Sequence, residues 1–313
     1  MTLDNTAELS NEESGLSVKN LNKSFKAKKQ QKAILKDLNF MIPEGQITAF
    51  LGPNGAGKTT TIKILLGLIK PSSGDIRYKG NEKYLKYTGA VLEGSRNIYW
   101  RLSAVENFEY FGALKGLNRK KSIDNGLYFL KLFDLYDKKD IDTRSLSRGQ
   151  QQIVAICCAL LNYPKILFLD EPTLGLDLKA SEKIQLILKE LSQKNKMGIF
   201  LTTHEIKIAQ NISDHVIFLD KGSIIYKNKT SQIKDKAERT EYLLDFKRPL
   251  SNTELKTIRS FGQLAVDENK KYLISLDHQV SFQTFLMAVS RLPVCAMQQK
   301  SLDLESLFKR YIK

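Results

Sequence analysis

Gly52-Pro53-Asn54-Gly55-Ala56-Gly57-Lys58-Thr59 fits the pattern G-x-x-x-x-G-K-[ST], and its reading decides the fold. It stands after Gln46 to Leu51, which reads as a buried strand ending in glycine. It precedes Thr59 to Leu68, where apolar residues recur at helical spacing. Strand, glycine-rich turn and helix in that order turn successive backbone N–H groups and a helix N-terminus toward negative charge. Lys58 is then placed to reach the outer phosphates of a nucleotide. The Thr59 hydroxyl, with Thr60 beside it, is placed to meet the accompanying Mg²⁺. The plainer reading is a glycine-rich turn carrying a surface lysine, and the flanking strand and helix argue against it.

Working outward, Ile166 to Leu169, Gly198 to Leu201 and Val216 to Leu219 are short apolar runs. The segments Lys179 to Gln193 and Ile206 to Asn211 between them have helical spacing. This alternation predicts a largely parallel sheet wrapped by helices, an α/β architecture. Asp170 and Glu171 follow the first of these runs directly. At the carboxyl end of a buried parallel strand, where open α/β sheets bind ligands, Asp170 can hold Mg²⁺ through water, and Glu171 can take the proton from an attacking water. Paired acids at a strand end also suit a solvated turn; the phosphate loop nearby favours the site.

Elsewhere, Leu16 to Leu21 and Leu38 to Ile42 read as strands flanking a loop with Lys26, Lys28, Lys29, Lys32 and Lys36. Ser103 and Glu106 form a capping box opening a helix through Phe108, Tyr110, Phe111 and Leu114, and Ile123 to Leu135 repeats the helical pattern. Lys221-Gly222 joins two strands as a hairpin and closes a first domain near residue 228. Beyond it come a strand at Glu241 to Phe246, a helix at Asn252 to Ser260, strands at Gln263 to Val266 and Tyr272 to Leu276, a helix at Val280 to Leu292 and a strand at Val294 to Gln298. That βαββαβ order predicts a small α+β, ferredoxin-like module over 229–313, finished by a helix at Leu302 to Tyr311. Residues 1–15 read as a disordered tail.

The formal charge of +15 suits nucleic acid or an anionic membrane. Its distribution argues otherwise, because residues 1–17 carry four acids and no Lys or Arg, and the excess is spread along the chain. A Lys-rich solvated surface with no specific nucleic-acid partner is the expectation. Cys157 and Cys158 are adjacent in an apolar helix, and with Cys295 they make no disulfide framework, which suits a reducing, cytoplasmic setting. The longest apolar stretch, the nine residues Ile153 to Leu161, is far short of the roughly 20 needed to span a bilayer.

Leu146-Ser147-Arg148-Gly149-Gln150 carries two compatible readings. Ser147 and Gln150 make a capping box for the apolar helix that follows, and a capped N-terminus with glycine beside it is also an anion site. Together with Gly52–Thr59 and Ile166–Glu171, this run resembles the ATP-binding subunit of ABC transporters over about residues 16–228. The resemblance implies a P-loop NTPase core with an antiparallel β subdomain and a helical subdomain at about 95–160, binding ATP and Mg²⁺. It implies that Ser147, Gly149 and Gln150 close on ATP held by a second copy or a related subunit, that Leu174-Gly175-Leu176-Asp177 is the D-loop, and that His204, after Leu201-Thr202-Thr203, contacts the γ-phosphate. Phe25 stands where the family stacks an aromatic ring on adenine. Phe25 can also be core, His204 a helix cap and Asp177 an ordinary loop acid.

Two positions depart from the family pattern. Arg148 stands where glycine is usual. Glu93, in Thr88-Gly89-Ala90-Val91-Leu92-Glu93, stands where glutamine is usual; a carboxylate is a hard oxygen ligand suited to Mg²⁺ but adds negative charge by the γ-phosphate. Glu93 followed by Asn97-Ile98-Tyr99-Trp100-Arg101-Leu102-Ser103 resembles the ABC-2 type exporters. These move drugs, antibiotics, peptides or polysaccharides outward through a separate membrane permease, which places the subunit on the inner face of the membrane. Tyr99 and Trp100 are expected near the permease contact. The alternative is a soluble member of the same family acting on nucleic acid or ribosomes; the long coiled-coil insertion or second cassette of such relatives is missing here.

Overall fold

The computed structural model describes residues 14–27, 30–94, 97–236, 241–266, 271–277, 280–300 and 304–311. The expected tail lies outside them except for Ser14 and Gly15, and so do Lys28 and Lys29. The chain forms two compact units that divide between Asn228 and Lys229.

In the first unit, β3 (Ile47–Leu51), β5 (Thr88–Val91), β6 (Ile166–Asp170), β7 (Gly198–Thr203), β8 (His215–Asp220) and β9 (Ser223–Lys229) form a six-stranded sheet in the order β5-β6-β7-β3-β8-β9. Strands β5, β6, β7, β3 and β8 pair in parallel. Every residue of β3, β6 and β7 is buried, as continuous apolar runs require of strands covered on both faces. Lys221 and Gly222, both at positive φ (46° and 82°), turn β8 into β9. Around the sheet lie α1 (Lys58–Leu65), α5 (Leu178–Asn195) and α6 (Ile206–Ile212).

A second, three-stranded antiparallel sheet has the order β2-β1-β4, from β1 (Gly15–Ala27), β2 (Gln30–Pro43) and β4 (Ser73–Tyr78). Much of the expected Lys-rich loop is therefore strand: Phe25 pairs with Lys32 and Lys26 with Gln31. Three register irregularities in β1, with positive φ at Asn20 and Asp37, break the period-2 pattern by which β1 and β2 could have been read beyond Leu16–Leu21 and Leu38–Ile42. Phe40 of β2 stacks on Phe200 of β7 at 5.6 Å and lies 5.6 Å from Phe50 of β3, so the hairpin shares the core of the parallel sheet.

Three helices, α2 (Ala104–Leu114), α3 (Arg119–Leu132) and α4 (Arg148–Leu160), pack together between β5 and β6 in sequence. Ser103 caps α2 through the expected box with Glu106. From Ile153 to Leu160 every residue of α4 is buried. Just after α2, the Lys115 ammonium donates to the Ala159 carbonyl (2.8 Å) and to Asn162 Oδ1 (3.0 Å), tying α2 to the end of α4. Burial pushes its pKa down to about 8, and the nearby Cys158 thiol counters this only in part.

In the second unit, after α7 (Thr230–Lys236), β10 (Glu241–Phe246), α8 (Asn252–Arg259), β11 (Gly262–Val266), β12 (Tyr272–Leu276), α9 (Phe282–Val289) and β13 (Val294–Lys300) follow in order, then α10 (Leu304–Tyr311). The four strands pair antiparallel as β11-β12-β10-β13. Ile258 of α8 and Phe285 and Val289 of α9 bury against Tyr242, Leu244, Ile274 and Leu276, which puts both helices on one face of the sheet. Arg248 grips Glu254 with two hydrogen bonds (2.9 and 2.8 Å) where Ser251 and Glu254 box the start of α8.

Candidate active site

The turn Gly52–Gly57 leaves the carboxyl end of β3 and enters α1 at Lys58. Gly57 takes φ +113°, and a Cβ there would lie 2.6 Å from Leu35 Cδ2, so glycine alone lets the hairpin press this closely on the loop. Asn54 and Gly55 are exposed, Pro53, Thr59 and Thr60 half-buried, and Ala56 and Lys58 buried. The N-terminal N–H groups of α1 have no intrahelical acceptors, and Gly57 gives no side-chain cap, so this end is open to an anion. Lys58 Nζ folds back on the loop, donating to the Gly52 carbonyl at 2.7 Å and the Pro53 carbonyl at 3.4 Å.

Parallel pairing of β3, β7 and β6 brings three further groups to the same sheet end. Asp170 closes β6 opposite Thr202 of β7, Glu171 follows, and His204 begins one residue past β7. Glu171 Oε1 lies 3.8 Å from Lys58 Nζ, and its Oε2 3.1 Å from His204 Nδ1. Its backbone adopts φ +50°, a left-handed conformation costing about 1 kcal/mol for a residue with a Cβ. The Glu171 N–H is held there by Thr202 through its carbonyl (3.2 Å) and hydroxyl (3.1 Å).

Asp170 is 1% exposed. The Thr202 hydroxyl donates to its Oδ1, while Oδ2 is buried with no hydrogen-bond partner. An orphaned buried carboxylate oxygen is costly, and a cation would answer it. No three acidic, His or Cys side chains among the described residues are placed to hold one ion by themselves. That donor set fits Mg²⁺, which keeps waters and shares its shell with phosphate.

Glu93 is exposed just past β5 and lines, with Asp170, Glu171, Trp100 and Arg148, a cleft of about 480 Å³. Ser147 is the N-cap of α4: its hydroxyl accepts from Gln150 N–H (3.3 Å), and Gln150 Oε1 accepts from Ser147 N–H (3.1 Å). Asp177 likewise caps α5, accepting from Ala180 N–H at 2.9 Å. A Cβ on Gly149 would fall 2.9 Å from Ala180 Cβ, so the starts of α4 and α5 abut. Within one chain these groups are helix caps; Ser147 and Asp177 do not line the cleft. Phe25 is 41% exposed, with Lys23 Nζ 4.7 Å above its ring. Among the aromatic residues around α2, Phe108 is core, whereas Tyr99, Trp100 and Tyr110 are exposed.

The family model described as ABC transporter matches residues 35–174. YhcH, an uncharacterized ABC transporter ATP-binding protein of Bacillus subtilis (strain 168), is 35% identical over 218 residues, 67% of this chain and 68% of that protein. The chain belongs to the ABC transporter ATP-binding family. BcrA of Bacillus licheniformis, named as a bacitracin transport ATP-binding protein, is a relative 35% identical over 60% of this chain and 62% of its own length. Among solved structures, the dimeric ABC transporter cassette MJ0796 superposes with TM-score 0.63 at 30% identity, covering 69% of this chain and 98% of that one. A post-hydrolysis dimer of that cassette, bound to ADP and Pi, superposes with TM-score 0.61. This chain is thus an ABC-type ATP hydrolase, and none of its described helices is long and apolar enough to cross a membrane.

Two residues of this ABC cassette that sequence reading missed organise the site. Thr202 holds both Asp170 and the Glu171 backbone, and its only signal was its place two residues before His204. Asn97 clasps the turn bearing Glu93: Oδ1 accepts from Leu92 N–H (2.9 Å), and Nδ2 donates to the Leu92 and Gly94 carbonyls (2.6 and 2.8 Å). An asparagine in a loop carries no signal for this in the sequence.

Proposed function

We propose that this chain is the ATP-hydrolysing subunit of an exporter, pairing with a second ATP-binding subunit around two ATP molecules and driving a separate membrane permease. The observation that carries the reading is Glu171 held between Lys58 and His204 beside the orphaned Asp170 oxygen. ATP entering the loop gives Lys58 the β- and γ-phosphate oxygens in place of two backbone carbonyls. Glu171 accepts a proton from the water that attacks the γ-phosphorus as the bond to the ADP oxygen breaks, releasing ADP and phosphate. His204 keeps that carboxylate oriented and reaches the γ-phosphate. Mg²⁺, held by Asp170 and Thr59 with Glu93 near, would neutralise charge on the phosphates.

Ser147 and Gly149, at the capped start of α4, close over the ATP of the partner subunit. Phe25 supplies a face for adenine once Lys23 moves aside. The exposed rings of Tyr99 and Trp100 receive the permease, as aromatic grooves receive helices. The bacitracin transport subunit among the relatives supports outward movement of a small molecule, antibiotic, peptide or polysaccharide. The test is sedimentation with ATP: Glu171→Gln should form a stable dimer, and adding Ser147→Arg should return it to monomer. A dimer unaffected by Ser147→Arg would overturn the shared site.

A further inference from the structure

Arg148 begins α4, where the helix dipole disfavours a cation, and no acidic residue in the first turn offsets it. No salt bridge joins it to any described carboxylate. Its guanidinium instead lies on Gly175: a Cβ built on that glycine would meet Nη1 at 2.7 Å, Cζ at 3.2 Å and Nε at 3.7 Å. Gly175, at φ +69°, offers a bare backbone to this planar group, and any side chain there would expel it. Among the described residues Arg148 is also the sole cation lining the cleft, against three carboxylates, Glu93, Asp170 and Glu171. Glu171 is answered by Lys58 and His204, whereas Glu93 forms no ion pair among the described residues and Asp170 keeps an unpartnered oxygen.

We propose that Arg148 is a positioning residue of the ATPase site, fastening the loop Leu174–Asp177 to the start of α4 by seating its guanidinium on Gly175, in the field of the carboxylates, Glu93 among them, that line the same cleft. The inference rests on the ATPase reading above. It makes the two departures from the family pattern one device: a cation at 148 and an added anion at 93 face the same space. Removing either charge frees the loop that carries Asp177, while the nucleotide loop of the same chain is untouched.

The test is steady-state ATPase activity, with its permease, of wild type, Arg148→Gln, Arg148→Lys, Glu93→Gln and the double variant Glu93→Gln/Arg148→Gln, with thermal unfolding as the folding control. Arg148→Gln should lower kcat about tenfold, with KM for ATP within about twofold. Arg148→Lys should recover part of the loss, since charge returns without the flat guanidinium. The double variant should lose less than the product of the single losses, because charges that share one cavity couple. Unchanged kcat in Arg148→Gln, or losses that multiply, would overturn the proposal. An inactive wild type would instead overturn the ATPase reading. If Arg148→Gln fails to fold, the Glu93→Gln pair with Arg148→Lys decides: multiplicative losses there refute the coupling.

Discussion

His204 Nδ1 lies 3.1 Å from Glu171 Oε2, while the other oxygen of that carboxylate is 3.8 Å from Lys58 Nζ. Two groups that follow β3 and β7 thus meet on the one carboxylate that follows β6. Glu171→Gln keeps the shape and removes the base, so turnover should fall by about 10²-fold or more with ATP affinity retained. His204→Ala should also lower kcat, with less effect on ATP binding. Phosphate release and nucleotide binding on the same preparations check both; undiminished release by Glu171→Gln would refute its role as base.

Thr202→Val should weaken the site and the fold together. It leaves Asp170 Oδ1, already beside the unpartnered Oδ2, without its donor and strips one of two acceptors from the Glu171 N–H. Loss of a buried hydrogen bond to a charged group costs about 1–3 kcal/mol. Urea unfolding should show that cost, and the ATPase rate should drop with it.

Gly149→Ala is expected to destabilise the chain although alanine favours helix. The new methyl would stand 2.9 Å from Ala180 Cβ, which is fixed to the backbone of α5 and has no flexible end to yield. Overpacking of this kind costs about 1–3 kcal/mol. By contrast Ser147→Ala removes only the cap of α4, about 1 kcal/mol. Denaturation midpoints of the two variants test this ranking.

Lys115 gives a pH signature. Its pKa is pushed down to about 8 by burial, below the usual 10.5, so between those values the unfolded chain binds more protons than the folded one. Its contribution to stability is therefore fully present above about pH 10.5 and lost as pH falls through 8. The stability of wild type relative to Lys115→Met should rise from pH 8 to pH 10.5. A difference that stays flat across that window would refute the assignment.

The phosphate loop, the buried parallel strands and the caps at Ser103 and Ser147 were legible because local pattern alone specifies them: a glycine turn after an apolar run, and a hydroxyl three residues before Glu or Gln. Boundaries were less so. The helix expected over Thr59 to Leu68 ends at Leu65, since Gly67 takes φ +69° two residues on. The strand β4, Ser73–Tyr78, went unread because its residues do not alternate cleanly and are held by pairing with β1.

The sequence by itself determined that a phosphate loop, two acids at a strand end and a capped glycine helix start occur in one chain, since each is a short run whose residues interact with their own backbone. Only the tertiary structure decided that Thr202 serves both Asp170 and Glu171, that Asn97 clasps the Glu93 turn, and that the Arg148 guanidinium rests on Gly175. These contacts join residues up to 32 positions apart, as Thr202 is from Asp170. The Thr202 contacts exist because parallel strands deliver distant turns to one sheet end, a registry that hydrogen bonding between strands fixes and no local pattern encodes.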